Sequence, residues 1–133
     1  MSKQFLNPSA LNPTNGFTHA VTSVGGKTIH VSGQVSVNEK AEVIGKGDMR
    51  AQTERVFENL KACLAAAGAT FDDVVKITYF VVGLKPEHVP IIREVRAKHL
   101  NMTNPPASSL VGVAALVVPD WMIEIELVAV VPA

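Results

Sequence analysis

NPPASSLVGVAALVVPDWMIEIELVAVVPA, residues 104–133, holds two apolar runs, Leu110–Val118 and Trp121–Val131, on either side of a Pro119-Asp120 turn. Runs of this length bounded by turn residues read as strands, and their spacing predicts a β-hairpin. Strand alternation puts Glu124 and Glu126 on one face, with Met122, Val128 and Val130 beside them. Carboxylates in so apolar a strand are costly to bury unless something pairs or hydrates them. Glu124 and Glu126 are therefore the first candidates for chemistry, and Ser108-Ser109, just before the hairpin, the second.

Upstream, Val74–Val82 reads as a buried strand opened by Asp73 or a neighbour. The stretch Pro86–Leu100 reads as a helix with Val89, Ile92, Val95 and His99 on one face, its regular part starting near Pro90. A longer helix runs from an Asp48 cap to Gly68, with Val56, Leu60, Cys63, Leu64 and Ala67 as its apolar stripe. His19–Val24 and Lys27–Gln34 flank Gly25-Gly26 as a second predicted hairpin. A short strand around Val43-Ile44 extends the sheet, and residues 1–16 read as a loop or short edge segment. The order is β-β-(β)-α-β-α-β-β, an α+β layer whose two helices cover one face of a five- to six-stranded mixed sheet. The strands at 74–82 and 110–118 are apolar on both faces, so the uncovered face calls for another chain.

At 133 residues the chain is one domain, 1–133, with no linker or repeat. Apolar residues are 47% and charged residues 18%, which excludes a disordered or fibrous class. Basic and acidic residues balance at 12 each and form no like-charge block, which argues against nucleic acid or an anionic membrane as partner. One cysteine, Cys63, excludes an internal disulfide and a cysteine-based zinc site. His19, His30, His88 and His99 show no metal spacing. No apolar run approaches the ~20 residues of a spanning helix, and no secretory signal is evident, so the expected location is cytoplasmic.

Four segments together resemble the RidA/YjgF family, formerly labelled endoribonuclease L-PSP. They are His30–Gln34 (HVSGQ), Leu64–Val81 (LAAAGATFDDVVKITYFV), Pro105–Ser109 (PPASS) and Glu124–Val131 (EIELVAVV). The resemblance runs from about Phe17 to Val131. It implies a homotrimer of chorismate-mutase-like subunits, their sheets lining a central barrel, with small-molecule clefts at the subunit interfaces. It further implies hydrolysis of 2-imino or enamine acids to 2-keto acids and ammonia, with no metal or organic cofactor.

Residue by residue, the implied site departs from the family pattern. Ser108 stands where the pattern Pro-Ala-Arg-Ser has its arginine, in Pro106-Ala107-Ser108-Ser109. Phe17, after Gly16, stands at the site tyrosine. Leu110 falls where Cys or Thr is frequent, leaving its N–H as a donor. Glu124 matches the glutamate that orients the attacking water. Gly33 and Gln34 close a strand where glycine permits close ligand approach. Losing an arginine fork from a desolvated carboxylate site costs on the order of 2–5 kcal/mol. Ser108 and Phe17 supply no positive charge, so they predict a cleft that prefers ligands lacking a free carboxylate; whether a cation replaces the arginine stays open, with Arg93, Arg96 and Lys98 of the second helix as candidates. Two readings follow: a cofactor-free imine or enamine hydrolase with altered substrate preference, or a non-catalytic protein that binds or senses a small metabolite. A ribonuclease is a third reading, disfavoured by the absence of a basic patch.

Overall fold

The computed structural model describes residues 1–133. Its strands are β1 (Ser2–Leu6), β2 (Ala20–Val24), β3 (Lys27–Gln34), β4 (Val74–Val82), β5 (Ala107–Val113) and β6 (Ile123–Val131). The helices are α1 (Met49–Ala66) and α2 (His88–Ala97), and a single 3-10 turn, Phe71–Asp73, leads into β4.

Helix α1 begins where Asp48 accepts the Ala51 N–H at 3.0 Å, the cap expected from the sequence. Val56, Phe57, Leu60 and Leu64 are all but fully buried, each apolar side chain of this size stabilising the fold by about 1.5–3 kcal/mol. Helix α2 starts two residues before Pro90, because a first-turn residue has no intrahelical partner for its N–H to lose. Ile92 and Val95 bury its inner face, and so does Arg96, which the periodicity did not single out.

Both helices cover one face of a four-stranded sheet of order β3-β6-β4-β5, in which only β4 and β5 run parallel. On the covered face lie Ile77, Tyr79 and Val81 of β4 and Ile123, Ile125, Leu127 and Ala129 of β6, all essentially inaccessible. The α+β class with two helices on one face is as expected. The single five- to six-stranded sheet is not: β1 and β2 form a separate two-stranded ribbon.

Neither predicted hairpin forms. Gly25 and Gly26 do turn the chain, both at positive φ, which glycine adopts without strain. The strands they join then diverge, β2 to β1 and β3 to β6. The C-terminal run is a split pair, because β4 lies between β5 and β6. Residues 114–122 cross over β4 instead of turning tightly, so β5 ends at Val113, short of Val118. The proposed strand at Val43-Ile44 is reduced to one bridge, Val37 with Val43.

The opposite sheet face carries Lys76, Thr78 and Phe80 of β4 beside Glu126 and Glu124 of β6, and no helix covers it. It is more polar than the sequence pattern suggested, although Phe80, Val111 and Val128 supply apolar surface.

Candidate functional site

The predicted site residues fall into two groups on opposite sides of the sheet. Glu124 pairs with Phe80, and Ser108 pairs with Ile77. Phe80 and Ile77 alternate along β4, so Glu124 faces the open side and Ser108 the helix side. With β4 between them, their strands are two spacings apart, roughly 10 Å.

The first group is built around a close approach. A Cβ added at Gly33 would lie 2.5 Å from Glu124 Oε2 and 2.7 Å from Cδ. The bare glycine is thus the seat of the Glu124 carboxyl group, which lies half-buried over β3 where the β3–β6 register shifts between Val31 and Gln34. Gln34 does not join them. It pairs with Ile125 on the helix side and lines a shallow groove with His30 and Cys63.

The second group surrounds a cleft of about 340 Å³ between the outer edge of β5 and α2. Phe17, Ser108 and Leu110 line it, as a shared site requires. Phe17 is brought there by its neighbour Thr18, whose N–H donates to Pro106 O at 3.1 Å and whose hydroxyl donates to Pro105 O. Ser109 points away from the cleft, to the open face, where its hydroxyl accepts from Lys76 Nζ at 2.9 Å. Glu126 is exposed on that same face.

Of the candidate cations, Arg93 and Arg96 of α2 line the cleft and give it positive charge. Arg96 is only 7% exposed and lies beside the fully buried phenol of Tyr79. Burial pushes the Tyr79 phenol up, and the nearby Arg96 charge partly opposes this. Burial likewise pushes the Arg96 guanidinium down, with the Tyr79 oxygen opposing the shift and Arg93 adding to it. The sequence offers Arg93, Arg96 and Lys98 as candidate cations without placing them, and the burial of Arg96 is not legible there because an arginine on an apolar helix face looks like an exposed residue. The available signal was its place at i+4 from Ile92, on the face that buries Val95.

Groups of three or more His, Cys, Asp or Glu side chains placed to hold a metal are absent from the chain. No helix is long and apolar enough to cross a membrane.

Residues 7–131 match the family described as Endoribonuclease L-PSP. A RutC family protein of Pyrococcus horikoshii is 32% identical over 129 residues, 97% of this chain and 98% of that protein. A protein of Dermatophagoides farinae named 2-iminobutanoate/2-iminopropanoate deaminase is 33% identical over 124 residues, covering 93% and 92%. Among solved structures, the conserved Rid family protein YyfB of Yersinia pestis, of unknown function, superposes with a TM-score of 0.89. It is 38% identical, with coverage of 98% of this chain and 100% of that one.

Proposed function

The chain belongs to the endoribonuclease L-PSP family, the RidA/YjgF proteins, and on that footing we propose that it is a cytoplasmic, cofactor-free hydrolase of imine or enamine metabolites whose site assembles between subunits of a homotrimer. The observation that carries the reading is the split site. Glu124 over Gly33 and the cleft of Phe17, Ser108 and Leu110 lie on opposite sheet faces, so one chain alone cannot bring them to a common substrate. Apposing the open face of one copy to the β5 edge of the next unites a water-holding carboxylate with a substrate cleft. The uncovered face and the outer edge of β5, beyond its single bridge to Thr18 at Ala107, are the surfaces such an assembly uses.

In this site the Glu124 carboxylate accepts a proton from water as the water oxygen attacks the C=N carbon. The proton taken up by Glu124 passes to the nitrogen, giving a carbinolamine and regenerating the carboxylate. The C–N bond then breaks as the hydroxyl proton is transferred to nitrogen, so that ammonia leaves and a C=O bond forms. Such positioned proton transfer contributes about 10²–10⁴-fold to rate. The relative named as a deaminase of 2-iminobutanoate supports the reaction class.

Two measurements test this. Light scattering after size exclusion should give about three times the 14.2 kDa chain mass. With 2-iminobutanoate generated in the cuvette by a threonine dehydratase, Glu124→Gln should retain that mass and lose at least about 100-fold in rate. A monomer, or equal rates for the two forms, defeats the proposal. The alternative of a metabolite-binding protein is favoured by Ser108 and Phe17, and it is what stands if the native trimer gives no acceleration.

A further inference from the structure

Arg96 is a buried cation without a counter-ion. No carboxylate lies within ion-pair distance, the three ion pairs of the chain being Lys46–Asp120, Arg50–Glu94 and Lys98–Glu54. Of its N–H groups, one on Nη2 is engaged, donating to Asn15 O at 3.0 Å. Its Nε and the hydroxyl of Tyr79 are both buried with no hydrogen-bond partner. A charge removed from water is costly unless it is paired and hydrogen-bonded.

The surroundings hold this guanidinium in place without neutralising it. Gly16, at φ +75, leaves the space that the guanidinium fills; any side chain there would collide with it. Arg93 lies three residues earlier on the same face of α2 and has neither an ion pair nor a hydrogen bond, and two like charges at that spacing repel. On the sheet side of the cleft the Ser108 hydroxyl is also unengaged. Two cations, one of them with an unpartnered Nε, and a free hydroxyl therefore line one cleft of about 340 Å³.

We propose that Arg96, with Arg93 at the rim and the Ser108 hydroxyl opposite, forms a binding site for the carboxylate of a small organic acid. The positive charge that Ser108 does not supply from β5 comes from α2 of the same chain. Ligands carrying a free carboxylate are then preferred over neutral ones, the reverse of the preference inferred from Ser108 and Phe17 alone. A planar carboxylate suits a guanidinium fork, whereas a lysine at the same place offers only a point charge. This assignment rests on the cleft being the binding site of the proposed enzyme, but it does not require turnover.

Calorimetric titration of the full-length protein tests it, with pyruvate, its neutral isostere pyruvamide and inorganic phosphate as probes. Pyruvate should bind at least tenfold more tightly than pyruvamide. Arg93→Met should weaken pyruvate about tenfold and leave pyruvamide unchanged, and Arg96→Lys should weaken pyruvate by tenfold or more. Arg96 also anchors the loop at Asn15, so an unfolded Arg96 variant shifts the decision to Arg93→Met and the pyruvamide comparison. Binding is read here without turnover, so native protein that prefers pyruvate but does not accelerate imine hydrolysis marks a failed hydrolase with an intact anion site, whereas hydrolysis without that preference marks a failed anion site. The proposal is overturned by equal affinity for pyruvate and pyruvamide, by phosphate binding as tightly as pyruvate, or by arginine variants that match the native protein.

Discussion

Gly33→Ala probes the seat of Glu124 with a single methyl group. The added carbon would lie 2.5 Å from Oε2, 2.7 Å from Cδ and 2.9 Å from Cγ of Glu124, whereas ordinary contact begins near 3.4 Å. Gly33 is not among the residues at positive φ, so the change acts through bulk and not through backbone strain. The carboxyl group has to retreat by about 1 Å, and a misplacement of that size typically costs about 100-fold in rate. Stability should move far less. Overpacking costs about 1–3 kcal/mol, and alanine recovers about 0.4–1 kcal/mol by restricting the unfolded chain. At this chain length the melting temperature should fall by no more than about 8 °C. The assay pairs imine-hydrolysis rates with thermal unfolding and light scattering of the same preparations. A Gly33→Ala protein with native rate, native mass and a native-like melting temperature would refute the reasoning, because Glu124 would then not depend on the space above Gly33.

Two further substitutions test the scaffold. Gln52 is fully buried and staples the crossover loop to α1, donating to Gly45 O at 3.2 Å and Asp120 O at 3.0 Å and accepting from the Met122 N–H at 2.9 Å. Gln52→Leu strands these groups and should destabilise by about 2–3 kcal/mol in urea unfolding; a loss under about 0.5 kcal/mol would mean that the loop holds itself. His99 stacks on Phe57 at 5.0 Å, and burial pulls its pKa below the ordinary 6.5. The folded state thus resists the proton that the unfolded chain takes up, so stability is intact above pH 6.5 and falls as pH drops below it. Denaturant titrations at pH 7.5 and 5.5 should show that loss in the native protein and a smaller one in His99→Phe.

Periodicity located the elements of this fold far better than it located their partners. The Asp48 cap, the stripe on α1, the Val74–Val82 strand and the inner face of α2 are local patterns, and each stands where expected. Strand pairing is a long-range property. Gly25-Gly26 and Pro119-Asp120 both resemble hairpin turns, yet each links strands that bond elsewhere. The edge strand Ser2–Leu6 pairs only with β2, and its short mixed pattern, half exposed, was indistinguishable from a loop. The same division holds at the site. Phe17, Ser108 and Leu110 do meet, and Gly33 meets Glu124, but the separation of these two sets by a strand and a sheet face is invisible without the topology. Arg96 stands among the candidate cations of the sequence, but its place is not legible there because its burial depends on Gly16 and Asn15, some eighty residues away.

The position of β6 sets how the chain must reach this structure. Its partners are β3 and β4, and Lys27 stands opposite Val131, so the central strand of the sheet comes from the far end of the sequence. Closing a loop of about a hundred residues costs roughly 4 kcal/mol beyond a constant term before any pairing can offset it. Until β6 inserts, β3 has no neighbour in the sheet and β4 has only its parallel contact with β5, with the apolar faces of both helices unable to settle. Folding is therefore dominated by non-local pairing, slow for a chain of this size, and committed only when the two ends of the sequence meet. Any damage confined to the last strand falls on the middle of the molecule, not on its edge.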